Sequence, residues 1–413
     1  MKNTIKIISF LFLVSFSSKA QSLSSSPYSI FGLGSLYESD FGSIPGIGSS
    51  GVALPSSRFI NNLNPASLGF MYRNHFLFDV GGSAIQTSYQ NLSRKENRNN
   101  IQFSHIAFAF PISTKSAVSL SLKPYSSAGF KISDYKLPIQ DSNEEYTLSA
   151  TGTGGLNDFD IAYAHRFGKN VSIGLSTSIL FGSTKDSREY IISNSTTSID
   201  KESSYNGARF NLGSQFKIDS TLTIGTNFKS PSKVNATKVQ SVITYNSELD
   251  ASNTIETNVK SDTDDYYLPF EFSVGLNKHF KNNLNLTVDY EKAFWKDTNQ
   301  ADLYGSYLNQ EKFKMGFSYR KEKNLRSYFD RMQFSTGLNY DTGFLEIDNK
   351  RIENKSISFG VSLPIENTFS VLNISYSYGQ RGRISNGLIK ENYHKISINL
   401  SLDGIWFVKR KIE

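Results

Sequence analysis

The sequence predicts an all-β fold, a transmembrane antiparallel β-barrel of about 14 strands. Three observations carry that prediction: a two-residue period beyond residue 75, strands too long for an ordinary soluble sheet, and connections that alternate between short and long. Val171, Ile173, Leu175, Thr177, Ile179 and Phe181 alternate with Ser172, Gly174, Ser176, Ser178 and Leu180. Leu284, Leu286, Val288 and Tyr290 repeat the pattern, as do Ile396, Ile398, Leu400 and Leu402. Successive strand side chains point to opposite faces, so each segment has one apolar face and one polar or small face. A soluble sandwich shares that local pattern. Length and spacing must decide.

The candidate strands run roughly 10–15 residues, as tilted membrane-crossing strands do. They fall near 75–89, 101–112, 116–130, 156–167, 170–183, 204–217, 220–229, 266–280, 283–295, 311–321, 331–342, 354–364, 367–379 and 390–402. Short connections follow the even strands, at 113–115, 168–169, 218–219, 281–282 and 365–366. Odd connections are long, with 131–155, 184–203 and 230–265 read as outside loops. Short turns on one side and long loops on the other mark outer-membrane barrels with both chain ends in the periplasm. Aromatic pairs near strand ends (Phe76 and Phe78, Tyr163 and Phe167, Tyr376 and Tyr378, Trp406 and Phe407) suit membrane-interface girdles.

Composition narrows the function classes. There are 44 Lys+Arg against 37 Asp+Glu, 13% aromatic residues and no cysteine. The missing cysteine excludes thiol catalysis, Fe–S clusters, Cys-based zinc sites and lipoprotein acylation. Mean hydropathy of −0.35 excludes a polytopic helical membrane protein. Residues 1–20 read as a secretory signal peptide: Lys2 and Lys6, an apolar stretch Ile7–Phe16, then small residues ending at Ala20. Removing its lysines (Lys2, Lys6, Lys19) takes the formal charge from +7 to +4, too mild for a nucleic-acid partner. An exported protein of this pattern belongs in the outer membrane of a diderm bacterium.

Residues 21–74 break the period. They are rich in Gly, Ser and Pro, poor in charge, and carry Phe31, Leu33, Phe41, Ile44, Ile47, Val52 and Ile60. Such a segment, placed before the first strand, predicts a hatch filling the barrel lumen, with residues 75–413 as the barrel.

Gly48-Ser49-Ser50-Gly51-Val52-Ala53-Leu54, followed by Asn61-Asn62-Leu63-Asn64-Pro65-Ala66-Ser67-Leu68, resembles the hatch of the FadL-type outer-membrane transporters for hydrophobic compounds. Gly154-Gly155-Leu156-Asn157, Ser230-Pro231 and the ending from Gly387-Leu388-Ile389 through Trp406-Phe407-Val408 look like further family positions. The resemblance implies a 14-stranded barrel with a hatch, passive uptake of fatty-acid-like or aromatic compounds, and lateral release at a kinked third strand. Its implied partners are outer-membrane lipids and a hydrophobic small-molecule ligand. Some barrels resembling this family instead serve as carriers or accessory subunits of protein secretion or outer-membrane assembly, and that reading implies a secretion-system protein as partner.

Pro124 falls inside the third candidate strand. Proline cannot donate to a ladder, so the strand must bulge near a rim, end early, or open as a lateral gate. Asn64, Pro65 and Ala66, with Gly48 and Gly51, are the candidate hatch residues; Asn64-Pro65-Ala66 serves either as a structural pin or in gating. Gly46-Ile47-Gly48-Ser49-Ser50-Gly51 matches a dinucleotide fingerprint as a string, yet Pro45 precedes it and no βαβ unit follows. Asp262, Asp264 and Asp265 offer too few oxygens for calcium. His75, His105, His165, His279 and His394 lack metal spacing, and no Gly-x-Ser-x-Gly elbow or Ser/His pairing is evident. The expectation is a barrel that is no enzyme and uses no metal or cofactor.

Overall fold

The computed structural model describes residues 26–405, apart from 39, 57–58, 140–141, 282, 303–304, 322–326, 366–368 and 386. The expected signal peptide and the ending with Trp406 and Phe407 lie outside the described residues. Fourteen antiparallel strands close into one barrel. They are β1 (His75–Gln90), β2 (Lys95–Pro111), β3 (Ser116–Pro124, resuming as Phe130–Pro138), β4 (Glu145–Phe167), β5 (Val171–Ile192) and β6 (Ser195–Lys217). Next come β7 (Leu222–Lys229, resuming as Ser232–Asn246) and β8 (Ala251–Asp262, Tyr266–Leu268 and Glu271–His279). The circuit ends with β9 (Leu284–Ala293), β10 (Gln310–Arg320), β11 (Gln333–Asp341), β12 (Asn354–Pro364), β13 (Val371–Arg381) and β14 (Lys390–Ile405). β14 pairs with β1 from Ile405↔His75 to Lys390↔Gln90 and closes the ring.

Alternation sorts the two faces. Ile173, Leu175, Ile179, Phe181, Phe210, Leu212, Ile396 and Ile398 are exposed on the outer wall. Ser172, Ser176, Gln215, Asn227, Lys314, Ser397 and Asn399 are buried on the inner one. An apolar outside around a polar inside is the wall a bilayer requires. No described helix is long and apolar enough to cross a membrane.

The turns at 113–115, 168–169 and 218–219 fall between strands, as expected, while the expected turns at 281–282 and 365–366 lie partly outside the described residues. The expected loops do not. Most of 131–155, 184–203 and 230–265 is strand: β5 and β6 meet at a two-residue turn, Ser193-Asn194, and β7 and β8 form a hairpin beyond the wall. Gly154-Gly155 lies within β4 rather than opening it, and Ser230-Pro231 interrupts β7 rather than ending it. These extensions meet water on both faces, so they need no apolar alternation. The period that marks the wall is therefore missing from them.

The described residues between Ser26 and Phe70 pack inside the barrel with short 3-10 turns (Pro27–Ile30, Ile44–Ile47, Pro65–Phe70) and a two-residue strand, Ser35–Leu36. A core of Tyr28, Leu33, Trp295, Tyr307, Leu345 and Leu388 packs at the long-hairpin end. There the Trp295 and Phe344 rings stack at 4.4 Å.

Candidate functional site

The site is the lumen, and it has a tight lower part and a looser upper one. In the lower part the N-terminal segment lies directly on the wall because the wall has glycine there. Gly174 (β5), Gly213 (β6), Gly225 (β7), Gly275 (β8), Gly316 (β10) and Gly337 (β11) all face the segment, and a methyl group on any of them would collide with it. Gly174 pairs with Gly213, Gly225 with Gly275, and Gly316 with Gly337, so the glycines form a belt across neighbouring strands.

Polar side chains then fix the segment to the belt. Asn64, fully buried, donates through Nδ2 to the carbonyls of Val52 (2.9 Å), Ser214 (3.0 Å) and Thr226 (3.1 Å). Its Oδ1 accepts from the Ala66 N–H at 3.0 Å and caps the Pro65–Phe70 turn, with Pro65 at the first position. One amide thus joins the segment to both β6 and β7. Ala66 is buried, and its carbonyl accepts from Ser172 at 2.6 Å. Gly48 has φ +68, the left-handed conformation that ends the Ile44–Ile47 turn, and its N–H donates to Ser358 at 2.9 Å. The N–H groups of Gly51 and Val52 donate to Asp289 Oδ2 at 2.5 and 3.0 Å.

The expected hatch residues therefore share one seat. Sequence reasoning missed its other half: Asp289, Gln215 (Nε2 to Val52 and Leu54 carbonyls, 2.9 and 3.1 Å) and the glycine belt. It missed too a stack in which Phe41 lies on His105 at 3.8 Å, His105 Nε2 faces Asp79 at 3.0 Å, and Ser401 donates to Asp79 at 2.8 Å. Ser116 and His165 do face each other, at 2.8 Å across β3 and β4; the Tyr163 hydroxyl also donates to Ser116, at 3.3 Å. The arrangement is a hydrogen-bonded cluster near the short turns. Among the described residues no group of three or more His, Cys, Asp or Glu is placed to hold a metal.

Pro124 lies elsewhere, at a break in the wall. β3 pairs with β4 as far as Pro124↔Asn157, and with β2 only as far as Leu122↔Ile106. The chain then turns inward. Ser126–Ser127 pairs with Ser35–Leu36, the Tyr37 N–H donates to the Tyr125 carbonyl (2.9 Å), and Ser29 donates to Gly129 (2.5 Å). Gly155 lets the turn come this close, because a Cβ there would strike the Ser126 carbonyl. β3 returns to the wall at Phe130 but pairs only with β4. Between Lys95–His105 of β2 and Phe130–Pro138 no ladder forms among the described residues. The result is a seam in an otherwise closed barrel.

Above the belt the lumen carries a ring of charge. Arg209 and Lys229 both meet Glu271 (2.9 Å each), Lys314 meets Glu291 (2.9 Å), Lys312 meets Glu38 (2.7 Å) and Lys123 meets Asp158 (3.5 Å). On the N-terminal segment, burial alone would raise the Glu38 carboxyl, but Lys312 and Lys314 hold it well below the usual carboxylate range. Burial wins at Asp40, whose carboxyl is pushed up. Burial likewise pushes the Tyr28 phenol up to about 12, so it stays protonated; it donates to the Ile389 carbonyl at 2.6 Å. Such a lumen excludes a straight greasy tunnel along the barrel axis.

Comparison with known proteins gives three results. The BamG family model matches residues 1–413. No curated protein matches the sequence significantly. Solved structures share the fold at low identity. The toluene transporter TbuX of Ralstonia pickettii has a TM-score of 0.62 at 15% identity, covering 88% of this chain and 98% of its own. The Pseudomonas putida toluene transporter TodX scores 0.64 at 12% identity, covering 90% and 100%. A Pseudomonas aeruginosa FadL homologue scores 0.61 at 12% identity, covering 90% and 99%. The expected 14-stranded FadL-type barrel is the observed fold.

Proposed function

The chain belongs to the BamG family, and from that premise we propose that it is an outer-membrane channel for small hydrophobic molecules. It works passively, with lateral release into the bilayer. The supporting observation is the seam beside Pro124, combined with a lower lumen closed by the glycine-seated segment. A solute entering from the long-hairpin end has no axial way out, whereas the seam offers a side route into the bilayer. In this reading Asn64, Pro65, Ala66, Gly48 and Gly51 hold the hatch shut, and Pro124 keeps the seam open by ending the ladder. Neither chemistry nor an energy source is needed. TbuX and TodX are toluene transporters, which supports an aromatic or acyl cargo here.

The test is uptake of a hydrophobic fluorescent probe by cells carrying the barrel, its Pro124→Val variant, or a variant cross-linked across the seam through two introduced cysteines. The natural chain has none, so the cross-link is unambiguous. Uptake should fall on cross-linking and recover on reduction. Unchanged uptake in the cross-linked barrel would remove the lateral route.

One observation favours a second reading, a barrel subunit of a protein secretion or assembly complex. The β7–β8 hairpin stands beyond the wall with Ile243, Tyr245, Leu249, Ile255 and Val259 exposed, and its outer strand Ala251–Asp262 pairs on one side only. A large protein co-purifying stoichiometrically in mild detergent would select this reading. Lumen-bound lipid alone would select the channel.

A further inference from the structure

A cavity of about 570 Å³ lies between the Ser35–Glu38 stretch and the inner faces of β1, β2, β10 and β14. Both Asn99 and Asn100 of β2 line it. The stretch of β2 that carries them forms no ladder with β3 among the described residues, so the cavity lies directly behind the seam. It is therefore the inner chamber of the lateral opening.

Most of its charges are already matched within the protein. Lys312 faces Glu38 at 2.7 Å and Asp341 at 4.0 Å, and Arg98 faces Glu96 at 2.7 Å. Lys395 lies within electrostatic reach of Glu38 and Asp40 without a direct ion pair among the described contacts, Arg381 donates to Ser35 at 3.2 Å, and Glu391 accepts from Ser26 at 2.6 Å. A carboxylate or phosphate ligand is held by a cation left free for it, and Lys312, Arg98 and Arg381 are engaged. The remaining lining is neutral: the amides of Asn99, Asn100 and Gln102, the phenols of Tyr89 and Tyr393, and the aliphatic Leu36 and Ile85. Gln102 Oε1 is buried with no donor. A buried acceptor of that kind calls for an O–H or N–H group.

We propose that this chamber binds a neutral, hydroxyl-rich headgroup of the carbohydrate class, whose apolar tail extends through the seam into the bilayer. Hydroxyls both donate and accept, so one such group serves the Gln102 acceptor and the asparagine amides together without unpairing any ion. The inference rests on the lateral-passage reading and gives it a substrate class: a glycolipid-like amphiphile rather than a free acid.

Three probes sharing one octyl tail test it on the full barrel in phosphatidylcholine nanodiscs: octyl glucoside, octanoate and octyltrimethylammonium. Binding is measured by calorimetry against empty nanodiscs. Octyl glucoside should bind about tenfold tighter than either charged probe. Gln102→Leu should erase that advantage, while Gln102→Glu, which keeps the acceptor, should retain it. Should Gln102→Leu fail to fold, Asn100→Leu is read in the same way. Octanoate binding as tightly as the glucoside, or an advantage surviving in the leucine variant, would overturn the proposal. Selective glucoside binding with no uptake would count against lateral passage and leave the chamber assignment standing.

Discussion

The lower and upper parts of the lumen hold the same N-terminal segment by opposite means. Below, backbone lies on glycine, with buried single side chains such as Asn64 and Asp289 reaching into it. Above, long charged side chains span open space, leaving a cavity of about 570 Å³. Close packing leaves no room to move, because interiors lose contacts steeply with small gaps. Long side chains that border a cavity have room to rearrange. The lower part is built as a seal and the upper part as a chamber.

Substitutions can break that contrast, and the largest effects belong to the seal. Gly337→Val puts a branched side chain where the Gly48 backbone lies. Overpacking of this kind costs about 1–3 kcal/mol or more, so the heat-resistant compact band on gels should melt at markedly lower temperature. Gly82→Ala is the control, because its added methyl group meets only the Gln102 carbonyl at 3.4 Å; a loss equal to that of Gly337→Val would refute a special seat. Next comes Asn64→Ala, which strips this donor from the Ser214 and Thr226 carbonyls and leaves the Val52 carbonyl to Gln215 alone. Stranding buried acceptors costs about 1–3 kcal/mol, and protease added at the short-turn end should then cut within residues 50–66.

Smaller effects belong to the chamber. Tyr28→Phe removes the bond to the Ile389 carbonyl and costs about 1 kcal/mol, read as a modest fall in melting temperature. Glu38→Gln loosens its contact with Lys312, but Lys312 keeps Asp341 and Lys314 keeps Glu291, so stability should fall less than in Gly337→Val while probe uptake changes. A melting shift for Glu38→Gln as large as that for Gly337→Val would erase the distinction between the two parts.

Much of the wall was legible in the sequence because a bilayer imposes alternation on every strand that crosses it. Val171–Phe181 and Leu284–Tyr290 show it directly, and the short turns are too brief to hide. Pro124 was legible as a break because proline lacks an N–H. The protruding parts of β5 to β8 were not legible, since Thr196–Asp200 or Thr254–Asn258 meet water on both sides and read as loop. Neither was the seat. Gly213 and Gly337 look like ordinary small inner-face residues until the segment that crosses them is known. The charge ring was hidden for a related reason: Lys312 and Lys314 alternate with Phe313 and Met315 as any polar face would, and nothing local pairs Lys312 with Glu38, far back along the chain.

The glycine belt also constrains the order of folding. Its glycines sit on β5 to β8, β10 and β11, and the segment they contact comes before all of those strands in the chain. A strip with its backbone against the wall, bridging β6 and β7 through Asn64, cannot be threaded in once β14 has met β1. The first residues of the segment must wait in an unsatisfied state while the strands gather around them, and ring closure becomes the slow step. Pulsed proteolysis during refolding should show residues 40–70 becoming resistant no later than the β1–β14 junction. Protection of the junction first would mean that the segment enters a finished barrel.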